Sequence, residues 1–138
     1  MSAELVYLDL EDIIGLYSDA LGCTEAQAAD LLRDRAGLEG ALARPSTYAH
    51  YRSADMALQA AVLGHGIAEG QYFVDGNKRI ALVALRVSLL LNGFDAVATQ
   101  EERAWWILDL SEHGPGPEAK IERLAAVLRS VLRSALSP

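Results

Sequence analysis

The sequence predicts an all-α fold. Three observations point there. Apolar residues return at helical spacing in one segment after another, capping-box pairs precede several of those segments, and no convincing strand pair, internal repeat or low-complexity tract interrupts them.

Asp9 with Asp12 three residues on introduces Ile13, Ile14, Leu16, Tyr17 and Leu21, an apolar face that stops at Gly22 and predicts a first helix. Thr24 and Gln27 form a capping-box pattern before a short second helix through Leu32. Gly37 to Ala43 predicts a third helix closed by Pro45, which leaves Ser46 to Ser53 as a loop. From Ala54, the residues Met56, Leu58, Ala60, Ala61, Leu63 and Ile67 sustain a fourth helix. Its Gly64, Gly66 and Gly70 predict close packing and then termination.

A loop over Gln71 to Gly76 leads into a helix opening at Gly76 or Asn77. That helix is apolar almost all round from Ile80 to Leu91, the pattern of a central helix enclosed by others, and it ends at Asn92-Gly93. Phe94 to Ala98 suits a short extended piece. Thr99 and Glu102 cap a helix carrying Trp105, Trp106, Ile107 and Leu110, and Gly114 to Pro117 forms a turn. A last amphipathic helix carries Ile121, Leu124, Val127, Leu128, Val131 and Leu132.

A chain of 138 residues, 51% hydrophobic and 22% charged, has enough apolar surface for one core, so residues 1–138 are expected to form one domain. Twelve basic against nineteen acidic residues give a net charge of -7, which disfavours a nucleic-acid partner. Cys23 is alone, so no intrachain disulfide forms, and acidic residues occupy the N-terminus where a signal peptide needs basic ones; a cytoplasmic location is expected. The run Ile80 to Leu91, broken by Arg86 and Ser88, falls short of the ~20 residues of a membrane span.

The informative stretch is Phe73-Val74-Asp75-Gly76-Asn77-Lys78-Arg79, a glycine-containing loop that runs into a helix N-terminus. Backbone N–H groups of a first helical turn and the positive end of the helix dipole attract phosphate, and Gly76 lets the backbone approach it. Lys78 and Arg79 add charge, and Asp75 stands where a carboxylate would hold Mg²⁺ against phosphate oxygens. A plain helix cap at Asp75-Gly76-Asn77 fits the same residues. Both readings stay open on composition alone.

The stretch resembles the Fic/Doc signature, in which a histidine, a variable residue and phenylalanine precede an acidic residue, a small residue and asparagine, with lysine-arginine following in the Doc branch. Gly37-Leu38-Glu39-Gly40-Ala41-Leu42-Ala43-Arg44-Pro45 is similar to the Doc segment ending in A-L-A-R-P, and Leu91-Asn92-Gly93-Phe94 continues the likeness. The resemblance implies the compact helical Fic/Doc fold, with ATP and Mg²⁺ as cofactors. It places Asp75 at the metal, Gly76 and Asn77 in the anion hole, and Lys78 and Arg79 on phosphate oxygens.

The family's first motif position, a general-base histidine, falls on Gln71. Nucleotidyl-transferring members typically carry glycine before the motif arginine and another arginine three residues later, whereas this chain has Lys78 and Leu82. By that resemblance the leading expectation is a Doc-like toxin of a toxin–antitoxin system. It would transfer phosphate from ATP to a Ser/Thr hydroxyl of a protein such as elongation factor Tu, attenuated or inactive because of Gln71. The alternatives are an AMP transferase using another base, and a non-catalytic nucleotide- or antitoxin-binding protein.

A Phd-like antitoxin segment is the expected partner, with Tyr48, Tyr51 and Tyr72 as candidate groove residues. His65, His50 and His113 read as a packing residue, a solvated loop residue and a turn neighbour, so none is expected to replace the base. One of Trp105 and Trp106 belongs in the core and the other at the surface, because adjacent residues cannot share a helix face. Arg86 reads as a paired or snorkelling side chain.

Overall fold

The computed structural model describes residues 4–111 and 116–135. Among them, helices α1 (Leu10–Leu21), α2 (Glu25–Leu31), α3 (Arg35–Arg52), α4 (Met56–Gly70) and α5 (Asn77–Leu91) are followed by strand β1 (Phe94–Ala96). Helices α6 (Gln100–Ser111) and α7 (Pro117–Val131) and strand β2 (Leu132–Ser134) complete the order. The fold is all-α. His113 and the first half of the expected Gly114 to Pro117 turn lie outside the described residues; Pro117 occupies the first turn of α7, where its missing N–H has no helical partner to lose.

Local sequence dictates the early helices. Asp9 accepts the Asp12 N–H while Asp12 accepts the Asp9 N–H, and Gly22 closes α1 in the left-handed region at φ 71°. Thr24 and Gln27 exchange the same pair of bonds at the head of α2. These caps matter because four N–H groups at each helix start have no intrahelical partner.

Helix α3 departs from expectation. It does not stop at Pro45 but runs through it to Arg52, so Ser46 to Arg52 is helix, and His50 sits on that helix rather than in a loop. Burial explains why the proline is tolerated: Leu38, Ala41, Leu42 and Pro45 fall at i, i+3, i+4 and i+7, and all four are buried. The Pro45 ring is thus part of the apolar stripe that packs on α4, and the Ser46 and Thr47 hydroxyls donate to the Ala43 carbonyl nearby. Tertiary packing overrides a local penalty of about 3 kcal/mol.

The central helix is α4, a second correction, since the sequence pattern assigned that place to α5. From Met56 to Gly64 every α4 residue is buried, and the helix packs against α3, α5, α6 and α7. Small residues permit this. A Cβ at Gly64 would come within 2.9 Å of Leu85 Cδ1 on α5, and one at Gly66 within 3.4 Å of the Ala41 Cβ on α3. Helix α5 keeps an exposed N-terminal turn and an exposed end at Leu90 and Leu91.

A third difference is a small antiparallel pair, with Phe94 opposite Ser134 and Ala96 opposite Leu132. Its strands are three residues each and far apart in sequence, so no hairpin turn announces them. Leu132, which continues the α7 apolar pattern, is the first residue of β2. Trp106 is buried while Trp105 is 48% exposed, as adjacency on one helix requires. Among the described residues no helix is long and apolar enough to cross a membrane.

Asp55 ties the start of α4 to the end of α7. Its carboxylate accepts the Leu58 N–H and a two-pronged bond from Arg129, with Nε–Oδ2 at 2.6 Å and Nη2–Oδ1 at 3.1 Å. The hydrogen bond from Arg129 holds the Asp55 carboxyl below its ordinary range, with the Leu58 N–H acting in the same direction. A depressed folded pKa means that this stabilisation is complete above the unfolded value, about 3.9, and is lost as pH falls through the lower folded value. Asp55→Ala should therefore cost about 1 kcal/mol of cap energy at neutral pH, with the exposed ion pair adding less than about 1. In urea unfolding at pH 7 and pH 3, the gap between the variant and the parent should narrow at the acid pH.

Candidate functional site

The site is the junction of α4 and α5. Gln71 caps α4 in the left-handed region, at φ 50° and ψ 48°, a conformation that costs a residue other than glycine about 1–3 kcal/mol unless its surroundings hold it. Those surroundings come from the turn between α2 and α3. The Arg33 N–H donates to the Tyr72 carbonyl at 2.8 Å, the Val74 N–H donates to the Leu31 carbonyl at 2.9 Å, and Leu32 forms an antiparallel bridge with Phe73. The loop is thereby stitched to a segment some forty residues earlier.

Side chains lock it further. The Phe73 ring stacks on Tyr17 of α1 with centroids 4.1 Å apart and planes 14° from parallel. The Tyr17 hydroxyl donates to the Asp75 carbonyl at 2.8 Å, and burial raises its pKa, with Cys23 and Asp75 adding to the shift, so the phenol remains a donor. Tyr72 is buried, its ring lying where a Cβ on Gly37 or Gly70 would fall. It is packed inside the chain rather than presented at its surface.

Asn77 binds the loop to the helix. Its Nδ2 donates to the Phe73 carbonyl at 2.9 Å and its Oδ1 accepts the Phe73 N–H at 3.0 Å. Oδ1 and one of the two Nδ2 hydrogens are spent on the loop, which leaves Asn77 its backbone N–H and one side-chain N–H. Gly76, at φ 76°, is the N-cap of α5 and supplies no side-chain cap. The first intrahelical bond comes from the Ile80 N–H to the Gly76 carbonyl, which leaves the N–H groups of Asn77, Lys78 and Arg79 at an uncapped helix start.

All six residues singled out by the motif meet in one place. Gln71, Asp75, Gly76, Asn77, Lys78 and Arg79, with Ala68 and Val74, line an open cavity of about 300 Å³. Among the described residues that line it, Asp75 alone carries a carboxylate, and Oδ1 of that group accepts the Gly76 N–H at 2.8 Å. Arg79 reaches the Ala20 carbonyl in the last turn of α1 at 3.4 Å, where a cation is favoured by the helix dipole. Among the described residues no three His, Cys, Asp or Glu side chains converge to hold a metal ion. The donor set instead fits a cation that arrives with phosphate and water ligands and needs one carboxylate.

No described histidine belongs to this cavity. His65 is half-buried on α4, and burial lowers its pKa despite Glu69, with Lys120 of α7 and Arg44 of α3 lowering it further. His50 is exposed, edge-on to Tyr51. Arg86 is half-buried, its pKa lowered by burial and by Arg103 while Asp95 opposes them, and it lies nine residues along α5 from Asn77, about 14 Å away. Tyr48 and Tyr51 lie near the C-terminal end of α3. Helix α3 starts beside Tyr72, and Tyr48 is thirteen residues further on, about 20 Å along the axis, where Arg52 lies over its ring and pairs with Glu118. The three tyrosines do not form one wall.

Two contributors escaped the sequence reading, Tyr17 and Arg33. Tyr17 carried a usable signal, since a phenol on an otherwise apolar helix face needs a buried partner for its hydroxyl. Nothing local marks Arg33, which contacts Gln71 across 38 positions.

The fold and the cavity together define an α-helical protein with an open cavity at an uncapped helix start. The family model described as the Fic/DOC family matches residues 7–89, more than half of the chain, and the chain belongs to that family. The match runs from the approach to α1 nearly to the end of α5 and includes all six cavity residues named above; Leu91-Asn92-Gly93-Phe94 lies beyond it. No curated protein and no solved structure matches the chain.

Asn77→Ala removes both bonds to Phe73 at once. The loss should cost about 2 kcal/mol, two net hydrogen bonds of about 1 each. Urea unfolding measures it: a variant with the parent's midpoint and slope would mean that the clamp does not hold the loop.

Proposed function

We propose that the cavity binds ATP with Mg²⁺ and that the chain is a Doc-branch member of its family. In this reading it is a cytoplasmic toxin of a toxin–antitoxin system, neutralised by a Phd-like antitoxin. Its ancestral reaction is phosphate transfer to a Ser/Thr hydroxyl of a protein such as elongation factor Tu. The observation that carries the reading is the uncapped start of α5, whose backbone donors share one cavity with Lys78, Arg79 and Asp75.

Each residue has a task in that chemistry. The N–H groups of Asn77, Lys78 and Arg79 address phosphate oxygens, and the two cationic side chains offset their charge. Asp75 would hold Mg²⁺, which supplies further neutralisation of the phosphate charge when bound. Lys78 and Leu82, at positions where nucleotidyl-transferring members typically carry glycine and arginine, favour transfer of the terminal phosphate over AMP.

Gln71 sets the limit. In transfer, the hydroxyl oxygen bonds to the terminal phosphorus, the bond from that phosphorus to the bridging oxygen breaks, and the hydroxyl proton must leave for a base. Gln71, the counterpart of the motif histidine, has no proton-accepting form near neutral pH, so transfer is slowed by roughly 10²- to 10⁴-fold. Because none of the described histidines lines the cavity, the reading extends to a protein that retains nucleotide with little turnover.

ATP with Mg²⁺ should raise the melting temperature, by about 2.7 kcal/mol of added stability at about 100-fold excess over Kd. Arg79→Ala should shrink that shift. No shift in the parent at millimolar nucleotide, or an equal shift in the variant, would remove the nucleotide site.

A further inference from the structure

Arg33 has a place at the site that the motif does not assign. It is exposed, in the turn between α2 and α3, and its Nε donates to the Gln71 carbonyl at 3.0 Å. Its Nη2 also reaches Gln71 Oε1, at 3.5 Å. The first contact is a full hydrogen bond and the second a long one, so the carbonyl is the anchor and the amide is steered. Both come from one planar guanidinium, whose fork presents donors side by side.

The backbone of Arg33 is fixed by its bond to the Tyr72 carbonyl. The guanidinium therefore approaches Gln71 from a framed position. It meets Gln71 in the left-handed conformation, where a residue other than glycine needs external support. Gln71 lines the cavity, and with Oε1 engaged by Arg33 the part of its amide not so engaged is Nε2, a donor.

We infer that Arg33 is a positioning residue for position 71: it holds the Gln71 backbone and turns its amide so that an N–H donor, not an acceptor, faces the phosphate cavity. In a site that takes phosphate oxygens, that donor adds to those at the start of α5. The inference rests on the proposed nucleotide reading for its ligand, but the Arg33–Gln71 hold itself exists without one.

The test is nuclear magnetic resonance on the full isotope-labelled chain, comparing the parent with Arg33→Ala and Arg33→Lys. Without ligand, both substitutions should shift the Gln71 side-chain amide resonances by more than a linewidth while the resonances of the α4–α7 core stay in place. Lysine keeps the charge but lacks the fork, so it should not rescue the parent position. Gln71 side-chain resonances that are unchanged in Arg33→Ala, or restored by lysine, would overturn the inference. On titration with ATP, the backbone amides of Asn77 to Arg79 report the site and the Gln71 side chain reports the donor. If those backbone amides fail to respond, the nucleotide reading falls while the ligand-free comparison still decides Arg33. If they respond but the Gln71 side-chain amide of the parent does not, the donor role of Gln71 is overturned.

Discussion

The clamp that Asn77 places on Phe73 is the interaction on which the site depends. A helix start that is to receive an anion has to forgo its own side-chain cap, so the loop before it needs another means of support. The amide of Asn77 provides it by taking both the N–H and the carbonyl of Phe73, within the chain's own first helical turn. Gly76 then occupies the cap position with no side chain to compete for the donors. Elsewhere, Asp9, Thr24, Asp34 and Asp55 spend their side chains on capping the helices they precede.

Support for the clamp comes from distant parts of the chain. Tyr17 stacks on Phe73 and bonds Asp75, and residues 31–33 pair with the loop backbone from the other side. Tyr72 fills the gap between Gly37 and Gly70. Three side chains of one loop are thus committed to structure, and Gln71, Val74, Asp75, Lys78 and Arg79 remain exposed. The protein is acidic as a whole, and the pair of cations beside the backbone donors at the start of α5 makes a local exception to that charge.

Legibility from sequence followed the range of the interactions. The boundaries set by neighbours in the chain, Asp9 with Asp12, Thr24 with Gln27, and Gly22 at a helix end, could be read because each cap is a contact three or four residues long. The cavity residues were readable for the same reason, since six of them fall within nine positions. Pro45 misled because its local penalty is visible in sequence and its burial against α4 is not. The β1–β2 pair, the bond from Tyr17 to Asp75 and the reach of Arg33 to Gln71 join residues far apart in the chain, Tyr17 and Asp75 by 58 positions and Arg33 and Gln71 by 38, and no periodicity encodes them. Tyr72 is buried while Tyr48 and Tyr51 lie near the other end of α3, a separation that their residue type does not announce.

The central claim is that the cavity still holds nucleotide and that position 71 lacks the base for transfer. Gln71→His, incubated with a bacterial extract and ATP carrying label on either the α or the γ phosphate, tests it most directly. The account predicts label on a protein hydroxyl from the γ position, with little or none from the parent. A folded, nucleotide-binding Gln71→His protein that transfers neither label would contradict it.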